Sequence, residues 1–153
     1  MQHSLSNFQG TKRRFEKVGN LNGAQVFLDY AHHPDEIKSS IATAKIFTKN
    51  KLIAIFQPHT YSRTAVLFDE FASCFGEADK VAFYPIFPAR EEPMPGITHE
   101  ALCKKCKEFN DAVSLSGEGE MIDFINCNAQ LGNTILILGA GDYVCAIRQL
   151  HFN

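Results

Sequence analysis

The sequence lacks any apolar run long enough to cross a membrane. Its uninterrupted runs, such as Leu52–Phe56 and Ile135–Leu138, fall far short of the roughly 18 residues that a spanning helix needs. It also lacks the charged and then apolar opening of a secretory signal peptide. These two absences predict a soluble protein that is not exported and has no membrane partner.

An excess of charge of either sign is missing as well. Fifteen Lys and Arg residues against 17 Asp and Glu residues give a net charge of -2, so the chain has no broad basic surface for nucleic acid. We therefore expect no nucleic-acid partner. A length of 153 residues with 45% hydrophobic residues instead predicts one soluble globular domain.

The cysteines form no second pair beside the C-x-x-C of Cys103 and Cys106. Five residues, 98–102, precede Cys103 in its predicted helix, whereas redox pairs usually open a helix, where the dipole lowers the thiol pKa. The total of five cysteines is also odd. We expect reduced thiols that pack as small hydrophobic groups, with no metal bound, and therefore a protein of the reducing cytoplasm.

Short apolar runs alternate with helical patterns along the chain. The predicted strands are Ala24–Tyr30, Lys51–Gln57, Asp79–Tyr84, Ala112–Leu115 and Asn133–Leu138. Helical spacing of apolar residues falls between and after them, on Ile37, Ile41 and Ala44; Phe68, Phe71, Ala72 and Phe75; Leu102, Cys106 and Phe109; Met121, Ile122 and Ile125; and Tyr143, Ile147 and Leu150. This alternation predicts an α/β fold, with a Rossmann-like, mostly parallel sheet covered by helices on both faces.

Two further segments flank this pattern. Residues 14–18 are predicted to pair antiparallel with the first strand across a glycine- and asparagine-rich loop, which adds an edge strand. Residues 85–96 contain four prolines and form a long irregular loop, and loops of this length are often functional.

Polar and charged residues follow the strands, where a parallel sheet binds its ligands. They lie in residues 29–34, 57–63, 87–93 and 139–142. Pro34 is predicted to begin a helix, which leaves His32 and His33 in the preceding loop. His59 lies in the next loop, and Arg63 opens a helix where a cation opposes the dipole. Such an arginine is either solvated or binds a carboxylate or phosphate, and these residues alone leave both interpretations open.

The glycine turn Gly139-Ala140-Gly141 is a weak nucleotide signal. Val144 takes the place of a third glycine, and no acidic residue follows about 20 positions later. A tight turn with close backbone approach explains it better. No phosphate-binding G-x-x-x-x-G-K-[ST] motif occurs anywhere in the sequence.

Taken together, these motifs resemble the C-terminal domain of the Mur ligases. The matching segments, in order, are Lys12-Arg13-Arg14-Phe15-Glu16, Asp29-Tyr30-Ala31-His32-His33-Pro34, Phe56-Gln57-Pro58-His59 with Tyr61 and Arg63, Arg90-Glu91-Glu92-Pro93 and Gly139-Ala140-Gly141-Asp142. They look most like those of the members that join L-alanine to UDP-N-acetylmuramate. Residues 11–153 would form this domain, and residues 1–10 an interdomain linker or a vector remnant.

The resemblance implies a ligase that uses ATP and Mg²⁺ to make a peptidoglycan precursor. The sugar carboxylate is phosphorylated, and the amino group of L-alanine then displaces the phosphate. Other domains would hold UDP-N-acetylmuramate, the phosphate-binding loop and most Mg²⁺ ligands. The present chain would supply the amino-acid site and part of the ATP site, and would be inactive alone.

The resemblance also implies roles for individual residues. Tyr30, His32, His59 and Arg63 would surround the amino acid, with His59 or His32 as the catalytic group that orients or deprotonates its ammonium. Arg13 or Arg14, with Asp29, would lie near ATP. Two positions depart from the family pattern: Thr60 stands where an arginine is common, and Leu28 where a second aspartate is common.

Three alternatives remain from the sequence. A murein peptide recycling ligase attaches a whole peptide to the same acceptor and has a similar C-terminal domain. Asp29, His32, His33 and His59 could instead ligate the metal of a phosphohydrolase. A free-standing nucleotide-binding module without catalysis is the third.

Overall fold

A computed structural model describes residues 14–153, which contain six strands and six helices. The strands are β1 (Glu16–Leu21), β2 (Ala24–Asp29), β3 (Leu52–Gln57), β4 (Lys80–Phe83), β5 (Ala112–Ser114) and β6 (Thr134–Gly139). The helices are α1 (Pro34–Phe47), α2 (Tyr61–Val66), α3 (Phe68–Ala72), α4 (His99–Cys106), α5 (Glu118–Asn128) and α6 (Val144–Ile147). The expected linker, residues 1–10, and Arg13 lie outside the described residues.

The strands form one sheet in the order β1-β2-β6-β3-β4-β5. Only the β1–β2 pair among the described strands is antiparallel, and the remaining neighbours run parallel. The predicted Rossmann-like sheet with an antiparallel edge strand is therefore confirmed.

The edge hairpin turns more tightly than the sequence indicated. Asn22 and Gly23 both have positive φ, 51° and 89°, as a two-residue type I′ turn requires. This turn carries β1 on to Leu21, so Gly19 and Asn20 lie within the strand and not in a loop. The predicted strand, residues 14–18, was therefore placed too early in the chain.

Alternate side chains of the central strands supply two cores, one on each face of the sheet. Phe27, Phe56 and Leu138 point toward a cluster completed by α1, α3 and α4. Ile55 and Ile137 point the opposite way, toward a cluster completed by α5 and α6. Burial on both faces explains why these strands are almost continuously apolar.

Helix boundaries differ from the predicted apolar stripes in three places. Helix α4 ends at Cys106, where the carbonyl accepts from the amides of Phe109 and Asn110, and Phe109 is 57% exposed. The stripe that included Phe109 was thus wrong at its last position. The second predicted helix is divided at Leu67 into α2 and α3, and the last one is a single turn, α6.

Three of the five cysteines are packing residues, whereas Cys127 and Cys145 are exposed. All five are free thiols, and Cys74, Cys103 and Cys106 are buried. Burial raises the pKa of Cys106 to about 12, so its thiolate is scarce at neutral pH. Separately, none of the helices in residues 14–153 has the length and apolar character to cross a membrane.

Candidate functional site

The loops that follow β2, β3, β4 and β6 emerge at one edge of the sheet. The parallel register places Leu138 between Asp29 and Phe56, and pairs Gln57 with Gly139. The polar segments that the sequence places after different strands therefore lie beside one another. This is the edge where an open α/β sheet binds ligands.

Asp29 shapes the loop that follows β2. One carboxylate oxygen accepts from the backbone N–H of Ala31 at 2.9 Å, and the other accepts from the Ser40 hydroxyl at 2.7 Å. Burial raises the pKa of Asp29, and the bonds from Ser40 and Ala31 oppose that shift. The carboxylate thus ties the loop carrying Tyr30 and His32 to helix α1.

The two adjacent histidines diverge. Pro34 is the first residue of α1, as predicted, and His33 is its N-cap, with Nδ1 accepting from the amide of Asp35 at 3.2 Å. The Glu36 carboxylate accepts from the amides of His32 and His33, each at 3.1 Å. His33 therefore serves to begin the helix, which leaves His32 as the histidine of this loop that lines a cleft.

A cleft of about 460 Å³ opens beside this loop. Its walls include Arg14, Asp29, Tyr30, His32, Glu36 and Ser40. The Tyr30 and His32 rings meet edge to face, 5.8 Å apart, and Tyr30 is 44% exposed. The structure thus brings two residues predicted near ATP, Arg14 and Asp29, together with two predicted near the amino acid.

The loop after β3 holds His59 and Arg63 against each other. Arg63 Nη1 lies 3.4 Å from His59 Nδ1. Burial is the main cause of a lowered pKa of His59, the Arg63 cation and the nearby His32 ring add to the lowering, and Glu91 opposes it. His59 is therefore a neutral imidazole at neutral pH, held one turn from a permanent cation.

Thr60 has a local structural role at the position where the family often has arginine. Its φ of 68° is unusual for a β-branched residue, and its hydroxyl accepts from the Arg63 amide at 3.3 Å. It is the N-cap of α2. Leu28, the other departure, is buried in the core.

Gln57 is a residue of this edge to which the sequence reasoning gave no role. It is 3% exposed, and its Nε2 donates to the Pro85 carbonyl at 3.0 Å and to Asp142 Oδ1 at 3.1 Å. A Cβ on Gly139 would lie 2.6 Å from the Gln57 carbonyl oxygen. The expected close backbone approach at the glycine turn is thus present. In the sequence, the position of Gln57 as a polar residue at the end of an otherwise apolar strand was the available sign that its side chain has a role.

The residues proposed for a metal site do not gather around one point. Within residues 14–153, no group of three His, Cys, Asp or Glu side chains is arranged to hold a metal ion. Asp29 is bonded to Ala31 and Ser40, and His33 caps α1. No ligand set for the metal-dependent alternative is assembled among the described residues.

The sheet order defines a Rossmann-like α/β domain with a polar carboxyl edge beside β2, β6 and β3, the edge at which sheets of this class bind their ligands. The family described as "Mur ligase, glutamate ligase domain" matches residues 13–141. The chain therefore belongs to the Mur ligase family.

Individual relatives agree with this assignment. The chain is 43% identical over 146 residues to a UDP-N-acetylmuramate--L-alanine ligase of Lachnospira eligens, covering 93% of this chain and 32% of that protein. The solved UDP-N-acetylmuramate-alanine ligase of Thermotoga maritima has a TM-score of 0.70 at 26% identity, covering 96% of this chain and 31% of the other. A murein peptide ligase of Psychrobacter arcticus has a TM-score of 0.71 at 27% identity, with coverage of 97% and 31%. The chain thus spans about a third of the length of the relatives it matches.

Proposed function

We propose that this chain is the C-terminal domain of an ATP-dependent ligase that joins L-alanine to UDP-N-acetylmuramate in the cytoplasm. The observation that carries the proposal is the His59–Arg63 pair at the sheet edge that also carries the cleft with Tyr30 and His32. The L-alanine ligases that it resembles over nearly its whole length support this choice. The UDP-sugar and most of the nucleotide site belong to the rest of the longer protein.

Arg63 is the group in this set best suited to the α-carboxylate of the amino acid. Arg63 is a half-buried residue beside a neutral histidine, and the planar fork of donors on its guanidinium matches a carboxylate in two-pronged geometry. Tyr30 lines the cleft with an exposed ring, which suits contact with a small apolar side chain such as that of alanine.

The two histidines are suited to different tasks because their hydrogen bonds fix different tautomers. Arg63 only donates, so His59 Nδ1 accepts and the neutral ring carries its proton on Nε2. His32 Nδ1 lies 3.1 Å from the Tyr30 carbonyl, which only accepts, so the neutral form of His32 carries its proton on Nδ1 and its lone pair on Nε2. His59 thus donates to the substrate, and His32 is the better base for the α-ammonium.

Residues of the cleft wall are proposed to contact ATP. Arg14 is exposed and shares the cleft with Asp29, so its charge would attract phosphate oxygens. Arg13 is proposed to act with it. Both Asp29 oxygens are already engaged, so Asp29 would hold the loop against the nucleotide instead of binding Mg²⁺, which falls mainly to residues of the other domains.

Phosphate release by the full-length enzyme tests this function. With ATP, Mg²⁺ and UDP-N-acetylmuramate present, we expect L-alanine to stimulate release and a murein tripeptide to do so far less. The tripeptide is the informative competitor because a murein peptide ligase shares this fold at a TM-score of 0.71. Preferential use of the tripeptide would overturn the assignment to alanine.

A further inference from the structure

The long loop after β4 runs alongside the loop that carries His59. Gln57 Nε2 donates to the Pro85 carbonyl at 3.0 Å, the Phe87 amide donates to the Pro58 carbonyl at 2.9 Å, and the Thr60 amide donates to the Phe87 carbonyl at 2.8 Å. These contacts extend the pairing of β3 and β4 beyond the sheet. The irregular loop therefore acts as a support for the neighbouring one.

Glu91 adds the last contact of this series. Its Oε1 accepts from the Ser62 amide at 2.9 Å, and its Oε2 accepts from the Ser62 hydroxyl at 2.5 Å. Ser62 is the second residue of α2, and amides in the first turn of a helix have no partner within the helix. Glu91 thus caps α2 from a different loop, 29 residues away in sequence.

The two proposed substrate-binding residues lie on either side of this contact. His59 stacks on Phe87 with ring centroids 5.5 Å apart, and Arg63 immediately follows Ser62. The charged or titratable groups that face His59 are Arg63 on α2, His32 in the loop after β2, and Glu91 in the long loop. Glu91 is the negative member of this set.

We propose that Glu91 is a positioning residue for the amino-acid site, where its carboxylate ties the long loop to the first turn of α2 and so fixes His59 and Arg63 relative to each other. This inference rests on the proposed function of those two residues. Glu91 is not assigned any contact with substrate. Its hydrogen bonds with Ser62 lower the pKa of Glu91, so the carboxylate is ionised at neutral pH.

A titration of the 153-residue chain tests the contact directly. Glu91→Gln should lower the pKa of His59, measured from its ring proton shifts by NMR, because a negative charge that favours the imidazolium is lost. Glu92→Gln, at the exposed neighbouring carboxylate, is the matched control and should leave the His59 titration unchanged. Identical His59 titrations in the two variants would overturn the proposal.

Kinetics of the full-length enzyme separate positioning from overall folding. Glu91→Gln should raise KM for L-alanine roughly two- to fivefold, a small effect because the pair is exposed, while KM for ATP stays within error. Ser62→Ala, which removes one of the two donors to Glu91, should show part of this effect. A rise in both constants, or none with Glu91→Gln, contradicts positioning. If the unmodified enzyme does not use alanine at all, the proposed function fails instead.

Discussion

The surroundings of Arg63 indicate that its charge is available to bind an anion. It donates to a neutral histidine, and no carboxylate among the described residues forms an ion pair with it. A cation placed in this way, beside a half-buried imidazole, lowers the pKa of its neighbour and keeps its own charge available for an anion.

Replacing Arg63 by alanine in the full-length enzyme should weaken L-alanine binding by on the order of 1.5 to 3 kcal/mol, or about one to two decades in KM. Lysine should recover part of this, since it offers a charge without the planar fork. KM for ATP should hardly change. Steady-state kinetics with alanine and ATP varied separately will show a different pattern, with a larger loss for ATP, if the placement of Arg63 is incorrect.

His59 should titrate below the ordinary range for histidine, and Arg63→Gln should raise its pKa because a nearby positive charge is removed.

A depressed pKa in the folded state means that His59 contributes stability above its unfolded pKa of about 6.5 and that this contribution is lost as pH falls through the folded value. Thermal unfolding of wild type and His59→Gln across this pH range measures whether the stability advantage of the wild type rises or falls with pH. A wild-type advantage that grows toward acid pH would contradict it.

Residues at strand ends could be predicted because the hydrophobic pattern locates those ends. His32, His59 and Arg63 follow directly from that pattern together with the topology of parallel sheets. The roles of Gln57 and Glu91 could not be found in this way. Their partners lie 28 or 29 residues away, and only the path of the long loop brings them together.

At the scale of elements, glycine turns and hydrogen bonds at helix ends determine where each strand or helix stops. The Asn22-Gly23 turn fixes the register of the edge hairpin, and a shift between Lys17 and Gly19 interrupts that register. Helix α4 ends before its apolar stripe does, because Asn110 bonds to the Cys106 and Ala78 carbonyls. Periodicity shows which face of an element is buried, whereas such local bonds set its length.

Gly139→Ala should destabilise the chain by about 1 to 3 kcal/mol, since φ is +132° and a Cβ would lie 2.6 Å from a backbone oxygen of β3. Gly119→Ala is the matched control, because the new methyl group meets nothing within 4 Å at the start of α5. That variant should be neutral or stabilised by up to about 1 kcal/mol. Equal urea-unfolding midpoints for the two variants would refute this account of the turn.

At the scale of the whole molecule, the chain should fold alone. Residues within 14–153 supply an extensive core on each face of the sheet, so urea or thermal unfolding should be cooperative. A broad, non-cooperative melt would show that the fold needs further domains.

Because the sequence has no phosphate-binding loop of its own, the same preparation should release no phosphate from ATP in response to L-alanine.

The position of β6 has a consequence for how the domain is made. β2 and β3 are neighbours in sequence, yet β6 lies between them and pairs with both. During synthesis the first three strands can form only the hairpin and separate fragments until Gly139 has left the ribosome. The sheet then closes by insertion of a late strand between two early ones, a step dominated by contacts far apart in sequence and hence slow. Until that moment we expect two apolar strand edges to be exposed, which makes this interval the one in which the nascent chain is most prone to aggregation.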